Sequence, residues 1–137
     1  MKRIVAAVCI DDGGGMLFNN RRQSRDRLLI ANFLESAKGK PLYIHPYSAL
    51  LFGDADVTLS EDPLADCPDG GVCFVEKNQL ALHANDIGVL IVYKWNTVYP
   101  CDTKLDLDPR RAGFVLREKT DFVGSSHDKI TKEVYKK

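Results

Sequence analysis

Ile4–Ile10 (IVAAVCI) is an unbroken apolar run, halted at once by Asp11-Asp12-Gly13-Gly14-Gly15. A strand with no polar alternation has no face to offer water, so other elements must cover it on both sides. The glycines that follow permit backbone angles other residues resist, which marks a loop. Residues 87–93 (IGVLIVY) form a second such run. Two doubly buried strands in 137 residues, of which 45% are hydrophobic and 28% charged, fit one α/β domain spanning residues 1–137.

Between these runs the periodicity changes. Leu29, Ile30, Phe33, Leu34 and Ala37 make one apolar helical stripe that stops at Gly39, with Ser24 as N-cap and Asp26 near the positive helix end. Residues 41–45 (PLYIH) predict a short strand, and Pro46 opens a brief helix closed by Gly53. Residues 57–59 and 72–75 predict two more strands, and residues 79–84 a weak helix. The tail adds strands over 113–118 and 129–135. The second alternates as K-I-T-K-E-V-Y, the pattern of a half-exposed antiparallel edge. The expected architecture is a mixed sheet flanked by a few helices and finished by an antiparallel hairpin.

Nineteen basic and nineteen acidic side chains cancel, so no global field draws the chain to nucleic acid or membrane. The distribution is uneven. Residues 1–40 carry eight basic against four acidic groups, residues 41–108 three against eleven, and residues 109–137 eight against four. Cys9, Cys67, Cys73 and Cys101 lack the pairing of a zinc site, and a reducing compartment follows as the simpler expectation. Three separated histidines cannot build a metal-dependent nuclease centre, and no metal is expected. Gly13-Gly14-Gly15 is not the dinucleotide fingerprint of a Rossmann domain. No apolar run approaches the ~20 residues of a membrane span, and Asp11-Asp12 argues against a signal peptide, so the expected location is cytoplasmic.

Several strings, in order, resemble the dihydrofolate reductase family. They are IVAAV with its Gly-rich loop, Lys40-Pro41-Leu42-Tyr43-Ile44, Val57-Thr58-Leu59-Ser60 and Leu90 to Tyr93. Asp102-Thr103, Leu105-Asp106-Leu107-Asp108, Phe114 to Thr120 and Ser126-His127 continue the series across nearly the whole chain. The resemblance implies that family's α/β fold, a nicotinamide cofactor (NADPH) and a small-molecule ligand.

The departures bear on chemistry. The resemblance puts Leu29 where the family has its proton-donating acid, with Asp26 almost one helical turn earlier. His45-Pro46-Tyr47-Ser48 replaces the basic phosphate-binding turn, and Glu76-Lys77 replaces a Gly-Gly pair that approaches the pyrophosphate. The twelve residues from Ser60 to Gly71 leave no room for one of the family's helices. Tyr93 stands where the family has a Thr that helps hold the pterin.

Candidate catalytic groups are therefore Asp26, as a displaced acid, and His45, a proton carrier at a strand end. Each has a plain structural counterpart: a helix-dipole partner, and a histidine bonded to backbone. Candidate ligand-binding residues are Gly14, Gly15, Arg21, Arg22, Tyr47, Ser48 and Tyr93. Arg21, Arg22, Arg25 and Arg27 cluster at a helix start, where guanidinium groups receive phosphate or carboxylate. No aromatic residues interleave with that cluster, which disfavours single-stranded nucleic acid. Trp95 reads as a core cap or a pocket floor, and His127 as a turn residue. The leading expectation is a divergent member binding a small anionic or heteroaromatic ligand, with standard reduction disfavoured. An NADPH-dependent reductase using Asp26 is the alternative, and an RNA- or protein-interaction module using the arginines is the third.

Overall fold

The computed structural model describes residues 2–137. The first apolar run is β1 (Ile4–Ile10), and the segment after it turns back as a hairpin of β2 (Gly15–Phe18) and β3 (Arg21–Arg22). Then come α1 (Arg27–Ala37), β4 (Leu42–Ile44), a 3-10 turn over Pro46–Ser48, α2 (Ala49–Phe52) and β5 (Thr58–Leu59). The chain continues through α3 (Pro63–Asp66), β6 (Val72–Phe74), a 3-10 segment over Ala81–Asp86, β7 (Ile87–Lys94) and β8 (Thr103–Lys104). It closes with β9 (Val115–Phe122) and β10 (Ile130–Lys136).

Seven strands form one sheet in the order β5-β4-β6-β1-β7-β10-β9. The first five run parallel, and β10 and β9 join antiparallel as a terminal hairpin. The two doubly apolar runs, β1 and β7, pair with each other at the middle. Each face is covered. Helices α1 and α2 lie on one, where Phe33, Phe52 and Phe74 meet with ring centroids 5.2–6.0 Å apart. The opposite face is filled by Met16, Leu17, Leu64, Leu80, Leu107 and Phe114. A second sheet, β3-β2-β8, crosses the end of the first.

Four sequence expectations need correction. The loop marked by the glycines after the first apolar run gives way at once to a β-hairpin, β2–β3, whose turn is Asn19-Asn20. Asn19 and Asn20 take φ of 50° and 60°, the left-handed pair that matches strand twist and that asparagine tolerates. Glycine suits the second position better, so Asn20→Gly raises the unfolding free energy by about 0.5 kcal/mol, read from the urea midpoint. The α1 N-cap is Asp26, not Ser24: its carboxylate accepts the Leu28 and Leu29 N–H groups at 3.0 and 3.1 Å. The segment 60–71, expected to be too short for one of the family's helices, still holds a single helical turn, α3, which plugs Leu64 into the core with Pro63 at its start.

The fourth correction concerns β10, which is an interior strand; β9 is the edge. Its polar residues misled because they are buried with partners. Glu133 meets Lys94 Nζ at 3.2 Å and accepts the Tyr135 hydroxyl at 2.9 Å, and Thr131 donates to Asp121 at 2.6 Å. Hydrogen-bonded polar groups can occupy a covered face, so alternation alone misread it.

Candidate functional site

The carboxyl ends of β6, β1 and β7, with the turn after β4, converge beneath the β2–β3 hairpin, the edge at which open α/β sheets bind ligands. The Gly-rich loop reaches this edge already folded onto a side chain. Asp11, 3% exposed, accepts N–H groups from Gly13 (2.9 Å), Gly15 (2.7 Å) and Tyr99 (3.1 Å), and the Gln23 amide at 3.1 Å. Burial alone would raise its pKa, but those donors outweigh burial and hold the carboxyl below its usual range. The Gly15 N–H therefore faces inward. A Cβ on Gly15 would collide with Cys101 and the Gln23 amide, so this glycine serves close packing. Gly14 takes φ +79°, which a non-glycine residue adopts only under strain.

Arg22, Tyr47 and Ser48 are brought together, but onto one another. The Arg22 guanidinium forks onto Glu76, with Nε to Oε2 at 2.8 Å and Nη2 to Oε1 at 3.1 Å. It also donates to the Tyr47 carbonyl at 3.0 Å, while the Arg22 N–H donates to the Tyr47 hydroxyl at 2.9 Å. Fully buried Ser48 donates to Glu76 at 2.6 Å. Arg22 and Lys77 both lie over the Tyr47 ring, at 4.3 and 3.8 Å. The result is a latch from the hairpin across the sheet end to the turn after β4.

His45 caps that turn. Its Nδ1 accepts the Tyr47 N–H at 3.0 Å, and Nε2 lies 3.1 Å from the exposed Glu61 carboxylate. Tyr93 is fully buried beneath α1. Its hydroxyl donates to Asn32 at 2.7 Å, and burial pushes its pKa upward. Burial likewise raises the Cys9 thiol well above its ordinary value.

The densest polar cluster surrounds Asp26. Besides the helix N–H groups, its carboxylate accepts the N–H of Ser125 and Ser126, each at 2.9 Å, and contacts His127 Nδ1 at 3.0 Å. Burial acts to raise the pKa, yet the Ser126 and Ser125 N–H groups, His127 and Leu29 more than offset it. The carboxyl is held far below its ordinary range and is ionised at neutral pH. The His127 ring stacks on Trp95 with centroids 4.5 Å apart, and its Nε2 lies 2.9 Å from the Tyr99 hydroxyl and 3.1 Å from Ser24 Oγ. Trp95 is thus both buried and a wall of the site. Gly124 is required here, since a Cβ would meet the Asp26 carboxylate and Ile130.

Several spaces adjoin these groups. A small cavity of about 20 Å³, lined by Cys9, Ser24, Asp26, Leu29, Glu76 and Trp95 among others, has room for a single water. An open cleft of about 510 Å³ is lined by Arg21, Arg22, Ser24, Arg25, Tyr47 and Ser126. A groove of about 730 Å³ between α1 and α2, with Ile30, Leu34, Leu50 and Leu51, shares Arg25 and Ser126 with that cleft. Among the described residues, Arg21 and Arg25 form no ion pair. No group of three or more metal-ligating side chains gathers among them either, and no helix is long and apolar enough to cross a membrane.

Of the expected site residues, Arg21, Arg22 and Tyr47 share one cleft; Gly14, Gly15, Ser48, His45 and Tyr93 do not line it. Sequence reasoning missed Asp11, Ser24 as a side chain of the site, and the joining of His127 to Asp26. Only Asp11 had a local signal, an Asp two residues before glycine.

No family model matches this chain, and no curated protein does. Among solved structures, the chain is similar to dihydrofolate reductase from Enterococcus faecalis complexed with NADP(H) and RAB-propyl. The likeness has a TM-score of 0.68 at 12% identity and covers 97% of this chain and 95% of that one. The chain therefore has the dihydrofolate reductase fold, in divergent sequence.

Proposed function

We propose that this protein binds a small anionic ligand in the cleft of Arg21, Arg25 and Tyr47, and that it does not carry out the nicotinamide-dependent reduction associated with its fold. The observation that carries the reading is the pair of exposed guanidinium groups, free of acidic partners, beside an aromatic ring. Arg22 is not part of that capture, because Glu76 already neutralises it. The neighbouring groove supplies apolar surface for the body of the ligand through Ile30, Leu34 and Leu50.

A dinucleotide does not fit the residues present. The Glu76 carboxylate stands at the end of β6, locked to Arg22 and Ser48, and opposes a pyrophosphate by charge and bulk. The Gly15 N–H that an anion would want is bonded to Asp11. Asp26 is ionised and so has no proton to give.

The test uses 8-anilinonaphthalene-1-sulfonate, an anionic aromatic probe, followed by fluorescence. Wild-type protein binds it saturably, and the Arg21→Glu/Arg25→Glu variant binds at least about tenfold more weakly, with the difference shrinking as salt rises. Unaltered affinity in the double variant overturns the reading. Titration with NADPH, followed by nicotinamide fluorescence, gives no saturable change; micromolar binding would restore the reductase.

A further inference from the structure

Ser24, His127 and Asp26 are aligned as a nucleophile, a base and the group that orients the base. Asp26 is ionised and its Oδ2 lies 3.0 Å from His127 Nδ1, so that nitrogen carries the ring proton and donates it to the carboxylate. In the neutral ring the lone pair is then on Nε2, which lies 3.1 Å from Ser24 Oγ. The Tyr99 hydroxyl shares the same nitrogen at 2.9 Å, and Ser126 Oγ lies 3.0 Å from Nδ1. The base is rigid. Its side chain is 6% exposed, stacked on Trp95 and held by a carboxylate that itself accepts four backbone N–H groups.

The exposure gradient runs in the direction catalysis needs. The Asp26 carboxylate is fully buried, His127 nearly so, and Ser24 opens into the arginine cleft. A purely structural network would not need its outermost hydroxyl beside two unpaired cations.

From this geometry we infer that Ser24 is a nucleophile activated by His127, with Asp26 as the positioning residue, and that the protein hydrolyses small anionic esters through an acyl-serine intermediate. The substrate class rests on the binding reading above; the nucleophile does not. Ser24 Oγ attacks the ester carbonyl as its proton passes to Nε2, and the carbonyl π pair moves to oxygen. The oxyanion meets the positive charge of the arginines lining the cleft. Collapse breaks the bond to the alkoxy group, which leaves with the proton from Nε2. Water then repeats the sequence on the acyl-serine, releasing a carboxylic acid and restoring the hydroxyl.

The test takes the full chain with the 4-nitrophenyl monoester of glutaric acid. We expect a burst of nitrophenolate, a glutaryl adduct on the Ser24 peptide by mass spectrometry, and a loss of at least about 100-fold in Ser24→Ala. Ser24→Ala keeps its melting temperature, so the loss is not one of fold. His127→Gln, with its fold checked by circular dichroism, loses the burst as well. Wild-type hydrolysis no faster than buffer, an adduct on another residue, or full activity in Ser24→Ala overturns the nucleophile. If probe binding still depends on Arg21 and Arg25 in those cases, the binding reading stands alone. Equal rates on uncharged 4-nitrophenyl butyrate overturn the anionic substrate class, with Ser24 retained.

Discussion

Asp26→Asn melts about 10 °C below the wild-type protein at pH 7, and the gap narrows as the solution is acidified. Asparagine still caps α1, but its amide meets donors where Asp26 offered acceptors: the Ser125 and Ser126 N–H groups and His127 Nδ1. Losing a buried, fully bonded carboxylate costs roughly 3 kcal/mol, and in a domain of this size each kcal/mol moves the midpoint by about 3–4 °C. The pH dependence follows from the direction of the shift. The folded carboxyl is held below its unfolded pKa of about 3.9. Its contribution is therefore complete above about pH 4 and drains away as pH falls toward the folded value. Thermal melts at pH 7 and pH 3 check this: a gap that stays constant, or widens in acid, contradicts the ionised state assigned to Asp26. Asp128→Asn, at an exposed position two residues before β10, changes stability by no more than about 0.5 kcal/mol.

Glu76→Ala has an effect of similar size for a different reason. It leaves the Arg22 guanidinium, 19% exposed, without the carboxylate that both Nε and Nη2 bind, and it strands the buried Ser48 hydroxyl. Removing one partner from a buried pair costs about 3–5 kcal/mol, and the partial exposure of Arg22 places this case near 3. A double-mutant cycle with Arg22→Met isolates the pair, and a coupling of at least about 1.5 kcal/mol is expected from chemical denaturation. Coupling below about 0.5 kcal/mol would class the latch as an ordinary surface ion pair. The same latch crosses the sheet end where a dinucleotide would approach.

How much of this was legible in the sequence differs from element to element. β1 and β7 were, because seven successive apolar side chains cannot face water on either side. The α1 stripe was too: Leu29, Ile30, Phe33 and Ala37 are buried as their spacing requires. Strand β10 was misplaced because its buried Glu133 and Thr131 are satisfied by Lys94, Tyr135 and Asp121, partners that periodicity does not contain. The Asn19-Asn20 turn carries a readable sign, two residues tolerant of positive φ between an apolar and a basic pair.

For the site, residue types were visible and their combinations were not. The arginines, Tyr47, Asp26 and His127 all stood out locally, and their neighbours in sequence suggested helix caps and turns. Yet Arg22 meets Glu76 across 54 positions and Ser24 meets His127 across 103. Local pattern fixes which side chains leave water, since burial depends on spacing along one strand or helix. Which polar groups then meet depends on how those elements stack, and a hydrogen bond falls away within an ångström of misplacement. The amino-acid order thus determined the layers and the core of this protein; the crossing of the β2–β3 hairpin and the β9–β10 loop over the sheet end decided that Arg22 is latched, Asp26 is ionised and Ser24 faces a base.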